Sequence, residues 1–363
     1  MFSLLVFILV LSILVLIHEF GHFLVARKLG VVVERFSLGF GPTLFSRKKK
    51  DTEYAISAIP LGGYVKLAGD TLEDYKGRPF EYLSKTPGQR AGILVFGPLL
   101  NYVAAFFCLW IVLFLGFPTL TSKVGQTIDG FGAQAAGILK DDRIVSVDGR
   151  EIKYWEELQK IIQAKKAGEV ARVSLLRNNT LFNVEVKIKE QEVLSLLGDK
   201  KNVGLMGIVP SEEIVKVRHG LLPSFGLGIK KLFDLTLINY KAIWRILTGK
   251  LSVRESVSGP LGIFYITSKA AELGFVAVIY LMAVLNVSLA IFNLLPIPLL
   301  DGGHLFLLVI EKIKGKHLSQ KFDNFVTQLG LSLIILLAVL VFYNDLVKFG
   351  IFEKIAKFIN HSK

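Results

Sequence analysis

His18 and His22 stand four residues apart, with Glu19 between them, in the run His18-Glu19-Phe20-Gly21-His22. On a helix that spacing puts both imidazoles on one face. Two histidines so placed can hold one zinc ion, with the glutamate beside the water the metal polarises. Zinc moves the pKa of such a water towards neutrality and polarises a carbonyl. Glu19 would take the water's proton and later deliver it to a leaving amine. Five-residue motifs of this kind also arise by chance, and the plain alternative is a polar contact between helices. The surroundings favour the metal. From Phe2 to Val25 these three are the only ionisable residues, and charge at membrane depth is costly.

A hydrolytic zinc site takes three protein ligands and keeps one position open. Asp301 is the best candidate for the third, closing the stretch that starts Asn293-Leu294-Leu295-Pro296 and ends Leu300-Asp301-Gly302-Gly303. His304 is the runner-up. Asp301 also reads as a helix N-cap after a proline-broken segment, which does not exclude ligation. Pro296 and Pro298 remove backbone donors and break the helix, and are candidate substrate-binding residues. Unwound backbone at membrane depth survives only where protein buries it or where it lines a wet cavity. Asn293 and Asn101 are candidate clamps for a substrate backbone, with interhelical hydrogen bonds as an equal alternative. Residues 52–70 read as a strand pair around Gly62-Gly63, followed by Tyr64. An exposed strand edge there could take up an extended peptide as an added strand.

The elements that must carry these residues follow from apolar runs. Residues 1–28 read as a retained first transmembrane helix, because Arg27 and Lys28 follow the apolar run, the reverse of a secretory signal. Positive-inside bias puts its C-terminal end in the cytoplasm. Residues 29–90 are then cytoplasmic, 91–117 form the second span and 121–215 a soluble domain of mixed strand and helix. Residues 221–272 are amphipathic, with Leu222, Phe225, Ile229, Leu232 and Phe233 at helical spacing. They suit a membrane surface, or an ordinary surface helix packed on the soluble domain. Residues 275–310 hold the third span and the Asp-Gly-Gly loop, 326–345 the fourth span and 346–363 a basic tail.

Composition agrees with membrane insertion. Of 363 residues, 52% are hydrophobic and 20% charged, against about 45–50% and about 25% in soluble domains. The formal net charge of +13 would suggest nucleic acid in a soluble protein. Here the basic residues flank apolar spans, and we read no nucleic-acid partner. Cys108 is the single cysteine, so an intramolecular disulfide and a thiolate metal cluster are both excluded.

Together these residues resemble the site-2 protease family, in its RseP-like bacterial branch. The resemblance rests on the His18–His22 motif and on Asn293–Gly303. It rests also on Gly97-Pro98-Leu99-Leu100-Asn101, Pro60-Leu61-Gly62-Gly63-Tyr64-Val65-Lys66 and Ser258-Gly259-Pro260. It implies a multi-span α-helical membrane protein with four core transmembrane helices, and zinc held by His18, His22 and Asp301, with Glu19 as base. It makes residues 52–70 a cytoplasmic, membrane-associated β-hairpin that engages substrate. It implies regulated intramembrane proteolysis of single-span membrane proteins already trimmed by another protease, such as anti-sigma-factor-like proteins or signal-peptide remnants. It also implies a multi-pass protein of the bacterial cytoplasmic (inner) membrane, in contact with lipid, its site near the cytoplasmic side.

Residues 121–215 resemble a PDZ domain of the permuted bacterial kind, an inserted extracytoplasmic α+β domain, through Gln134–Gly149. Such a domain could bind a peptide C-terminus along a strand and helix. Two departures stand out. There is room for one PDZ domain where better-known members carry two. Asn286-Val287-Ser288-Leu289 lacks the asparagine the family pattern would put five residues before Asn293. A scaffold with a degenerate metal site fits less well, since ligands and base are all present. A metal or proton transporter would need more ionisable residues in the spans.

Overall fold

The computed structural model describes residues 2–194, 200–252, 257–315 and 318–350. The chain forms two units. One comprises Met1–Val112, Leu221–Ile243 and Ser252–Lys363, the other Leu113–Gly220 and Trp244–Leu251.

In the first unit, α1 (Phe2–Lys28) buries Phe7, Val10, Leu14, His18 and Gly21. Steps of three and four make these one stripe, so His18 faces protein. Arg27 and Lys28 end the helix where its dipole favours cations. Next come β1 (Val33–Lys49) and β2 (Thr52–Leu67), an antiparallel pair. Here the structure corrects the expected hairpin at 52–70. The turn lies at Lys50-Asp51, with Lys50 in the left-handed region at φ 55, and Gly62-Gly63 falls inside β2. Residues 35–38 are partnered twice, by 53–56 and by 63–66. The sheet therefore folds over β1 and leaves the 63–67 stretch as an edge. Residues 40–49 are exposed on both faces, so no alternating pattern marks them in the sequence.

After α2 (Pro87–Leu115), which holds Pro98 inside it, the chain enters the second unit. Its elements are β3 (Phe117–Leu120), β4 (Val124–Thr127), α3 (Gly132–Ala135), β5 (Arg143–Val147), β6 (Arg150–Glu151) and α4 (Trp155–Gln163). Strands β7 (Val170–Arg177), β8 (Thr180–Lys187), β9 (Lys189–Leu194), β10 (Lys200–Leu205), β11 (Ile208–Pro210) and β12 (Ile214–Val217) follow. A four-stranded sheet runs β6-β5-β7-β8. Its core includes Val124, Ile138, Ile144, Leu158, Ile162, Val173, Leu175 and Val186. Buried Asp142 accepts from Arg177 at 2.7 Å and so ties the β5 entry to β7.

The first unit resumes with α5 (Leu221–Leu247), of which the part from Trp244 on belongs to the second unit, and continues with α6 (Pro260–Leu273), α7 (Phe275–Asn293), α8 (Asp301–Lys314) and α9 (Gln320–Lys348). Among the described residues, four helices are long and apolar enough to cross a membrane: Phe2–Lys28, Pro87–Leu115, Phe275–Asn293 and Phe325–Lys348. Leu232 and Leu235 of α5 pack on Ala105, Val287 and Ile291. Ser288, five residues before Asn293, donates its hydroxyl to Asn239 Oδ1 of α5 at 3.0 Å. The start of α6 is held by buried Asp345, which accepts from Gly259 N–H at 3.2 Å and Gly262 N–H at 3.0 Å. That contact gives Ser258-Gly259-Pro260 a structural reason. Of the basic tail read at 346–363, residues 351–363 lie outside the described residues.

Candidate metal centre

The site is built on three helix segments of the first unit. On α1, His22 Nδ1–H donates to the Ile93 carbonyl of α2 at 2.8 Å. A carbonyl can only accept, so a neutral His22 carries its lone pair on Nε2. The close approach of α1 and α2 depends on two glycines. A Cβ on Gly97 would strike the His22 ring, and one on Gly21 would strike the backbone at Phe96. Neither glycine was singled out from sequence, although each sits inside a motif quoted above.

Asp301 opens α8 after the irregular stretch that follows Asn293. Leu299 there holds φ 73, a left-handed conformation that costs a non-glycine residue of order 1–3 kcal/mol. Gly302 and Gly303 let the helix start press against the backbone of Leu294, Leu295 and Ile297. A buried ion pair ties α8 to α2, with Arg90 to Glu311 at 2.7 Å. No local sequence pattern marks this pair, whose partners lie 221 residues apart.

These elements bring three donor atoms together. His18 Nε2 lies 3.1 Å from Asp301 Oδ2, His22 Nε2 lies 3.5 Å from the same oxygen, and the two Nε2 atoms are 3.2 Å apart. Zinc bonds of about 2.0–2.2 Å at tetrahedral angles would put donors about 3.3–3.6 Å apart. The triangle matches within a few tenths of an ångström. Asp301 Oδ2 is buried, and no donor is aligned to hydrogen-bond it. An orphaned carboxylate oxygen facing imidazole nitrogens is what a cation would satisfy. His18, His22 and Asp301 could therefore hold a metal ion. His304, the runner-up, is exposed and outside this group.

Beside the donors opens a cavity of about 590 Å³. Glu19, Gly62, Gly63, Tyr64, Val65, Asn293, Leu299 and His304 line it. The Glu19 carboxylate lies against the Val65 backbone. A Cβ on Gly63 would crowd Ser37 O, Val15 and Glu19, so this glycine lets the sheet edge reach α1. Asp70 also lines the cavity, and burial raises its carboxyl above the usual range. Asn101, Pro296 and Pro298 are not among the lining residues. Asn101 is fully buried instead, beside His18. Pro298 packs against Gly330 of α9.

The helix-borne histidine pair, the glutamate and a distant aspartate at one cavity define a metallopeptidase of membrane type, and sequence comparison gives the same class. The chain belongs to peptidase family M50, whose profile matches residues 6–337. It is a zinc metalloendopeptidase of the site-2 protease type. A Campylobacter jejuni protein named as a zinc metalloprotease is 33% identical over 352 residues, covering 93% of this chain and 92% of that one. One from Clostridium acetobutylicum is 32% identical, with 95% and 98% covered. The regulator of sigma-E protease RseP of Escherichia coli is 30% identical, with 93% and 97% covered. The PDZ domain of an SdrC-like protein from Listeria innocua matches 26% of this chain and 96% of its own, at 22% identity and a TM-score of 0.21.

Proposed function

We propose that this protein hydrolyses peptide bonds within transmembrane segments of single-span membrane proteins. His18, His22 and Asp301 are the zinc ligands and Glu19 the base. The observation that carries the reading is the triangle of donor atoms around the orphaned Asp301 oxygen. When bound, zinc supplies Lewis acidity towards a carbonyl and acidifies water. Glu19, within the same cavity, takes a proton from the attacking water at its carboxylate. It returns that proton to the leaving amide nitrogen.

A transmembrane helix hides its peptide bonds in its own hydrogen bonds, so it must be drawn out before it is cut. The 63–67 edge of β2 borders the cavity and offers backbone partners to an extended substrate. Asn293, on the cavity wall, is a second point of hold. The name of the Escherichia coli relative supports regulated proteolysis upstream of a sigma factor. The second unit acts as a PDZ domain outside the membrane. An apolar groove of about 480 Å³ between α4 and residues 204–210 suits a peptide end or a steric filter. The four apolar helices and the basic flanks of the spans support a multi-pass protein of a bacterial inner membrane, its site near the cytoplasmic side.

The test is zinc content and cleavage of a single-span substrate by purified protein, with and without chelator. About one zinc per chain is expected, lost in Asp301→Ala. Glu19→Gln should keep the zinc and lose cleavage by about 10²–10⁴-fold. Full zinc in Asp301→Ala would remove the ligand assignment, and cleavage by Glu19→Gln would remove the base.

A further inference from the structure

We propose that Asn101 is a positioning residue that fixes the tautomer of His18; this rests on the ligand assignment above. Asn101 is fully buried on α2, and its amide faces His18 Nδ1 at 3.4 Å, nitrogen end first. Its oxygen is buried and has no hydrogen-bond partner. Ligation through Nε2 requires a neutral ring with its proton on Nδ1. That N–H then needs an acceptor. His22 has one in the Ile93 carbonyl. At His18 the neighbour is the Asn101 amide, whose nitrogen end cannot accept.

A half-turn of the amide exchanges its two ends, which are alike in size, and moves nothing else. It joins an unsatisfied oxygen to an N–H that needs an acceptor. The nitrogen end then turns towards its own helix, as other helical asparagines of this chain do. Asn239 Nδ2 donates to Leu235 O at 2.9 Å, and Asn286 Nδ2 donates to Met282 O at 2.8 Å, each four residues back. Asn239 thereby presents its oxygen to a donor on another helix, the Ser288 hydroxyl. Asn101 does the same for His18, with Gly97 O as the carbonyl four residues back. The first histidine is thus held by a side chain and the second by a main-chain carbonyl. Partners of this kind orient metal-binding imidazoles and raise their basicity.

The experiment uses the full chain in detergent, stripped of metal, with zinc affinity read by competition with a chelating dye. Asn101→Ala removes the acceptor. Asn101→Asp restores an acceptor oxygen. Asn101→Ala should bind zinc about 10–100-fold more weakly, with the melting point of the metal-free protein unchanged, while Asn101→Asp stays within about threefold of the parent. A purely structural role predicts the reverse order, since a buried carboxylate disturbs packing more than a methyl. Parent-like affinity in Asn101→Ala, or equal weakening in both folded variants, overturns the proposal. Should Asn101→Asp not fold, cobalt-loaded parent and Asn101→Ala decide by NMR. The exchangeable His18 ring N–H should be protected in the parent and lost in Asn101→Ala, and its persistence overturns the proposal. Failure of the ligand reading itself looks different: zinc uptake would survive Asp301→Ala, and the proposal would fall with it.

Discussion

One methyl group separates alanine from glycine, and at Gly97 it separates a displaced His22 from a seated one. The ring abuts the Gly97 Cα, where a Cβ has no room. A shift of the ring or of the α2 backbone would disturb the bond from His22 Nδ1 to Ile93 O at 2.8 Å. Gly97→Ala is therefore expected to lower zinc affinity by about 10–100-fold, the usual effect of disturbing a ligand's support. Chelator competition reads it directly. Affinity within twofold or so of the parent's would mean that the helices separate freely, and the close packing would have no role at the site.

At the scale of elements, the sheet edge and α1 meet through Gly63. A side chain there would push the 63–67 stretch away from Val15 and Glu19. Gly63→Val should leave zinc content unchanged, because the crowded atoms are not the three donors. Cleavage should fall by about 10²-fold, the cost of roughly an ångström of misplacement. A matched measurement of zinc and turnover separates the two effects, and equal turnover would dissociate the edge from substrate handling. The element on the other side is set by its own loop. Leu299 at φ 73 and the glycines at 302 and 303 aim Asp301 at α1, and the Arg90–Glu311 pair ties α8 to α2.

At the scale of the whole molecule, the second unit carries an acid response that does not depend on the metal centre. In the second unit Asp148 receives a hydrogen bond from Lys165 at 2.7 Å and another from the Arg172 N–H, which hold its carboxyl below the usual range. A carboxyl depressed in the folded state stabilises above its unfolded value and loses that stabilisation as pH falls through its folded value. The unit should therefore weaken below about pH 4, the ordinary aspartate value. Lys165→Ala should flatten that dependence. Urea midpoints at several pH values, read at Trp155 in a chain whose other tryptophans are replaced, check the sign. An unchanged slope in Lys165→Ala would show that the pair does not govern it.

Some of this was legible in the chain alone. The four-residue step from His18 to His22 fixes a shared helical face, because helix geometry is local. Apolar runs mark the four helices long and apolar enough to cross a membrane for the same reason: length and hydropathy are summed along the chain. Asp301 was within reach of sequence because few ionisable residues stand near apolar runs, and its family motif is contiguous. The strand pairing was not. Residues 40–49 expose both faces, so they carry no period, and the turn was placed at the glycines instead of Lys50-Asp51. Asn101 read as a clamp because its type allows one, whereas its place behind His18 depends on how α2 crosses α1. Sequence determined which residues could bind a metal and which helices would carry them. Tertiary structure alone decided that three donors meet within 3.5 Å, since that distance is set by glycine contacts, a strained loop and an ion pair between segments far apart in the chain.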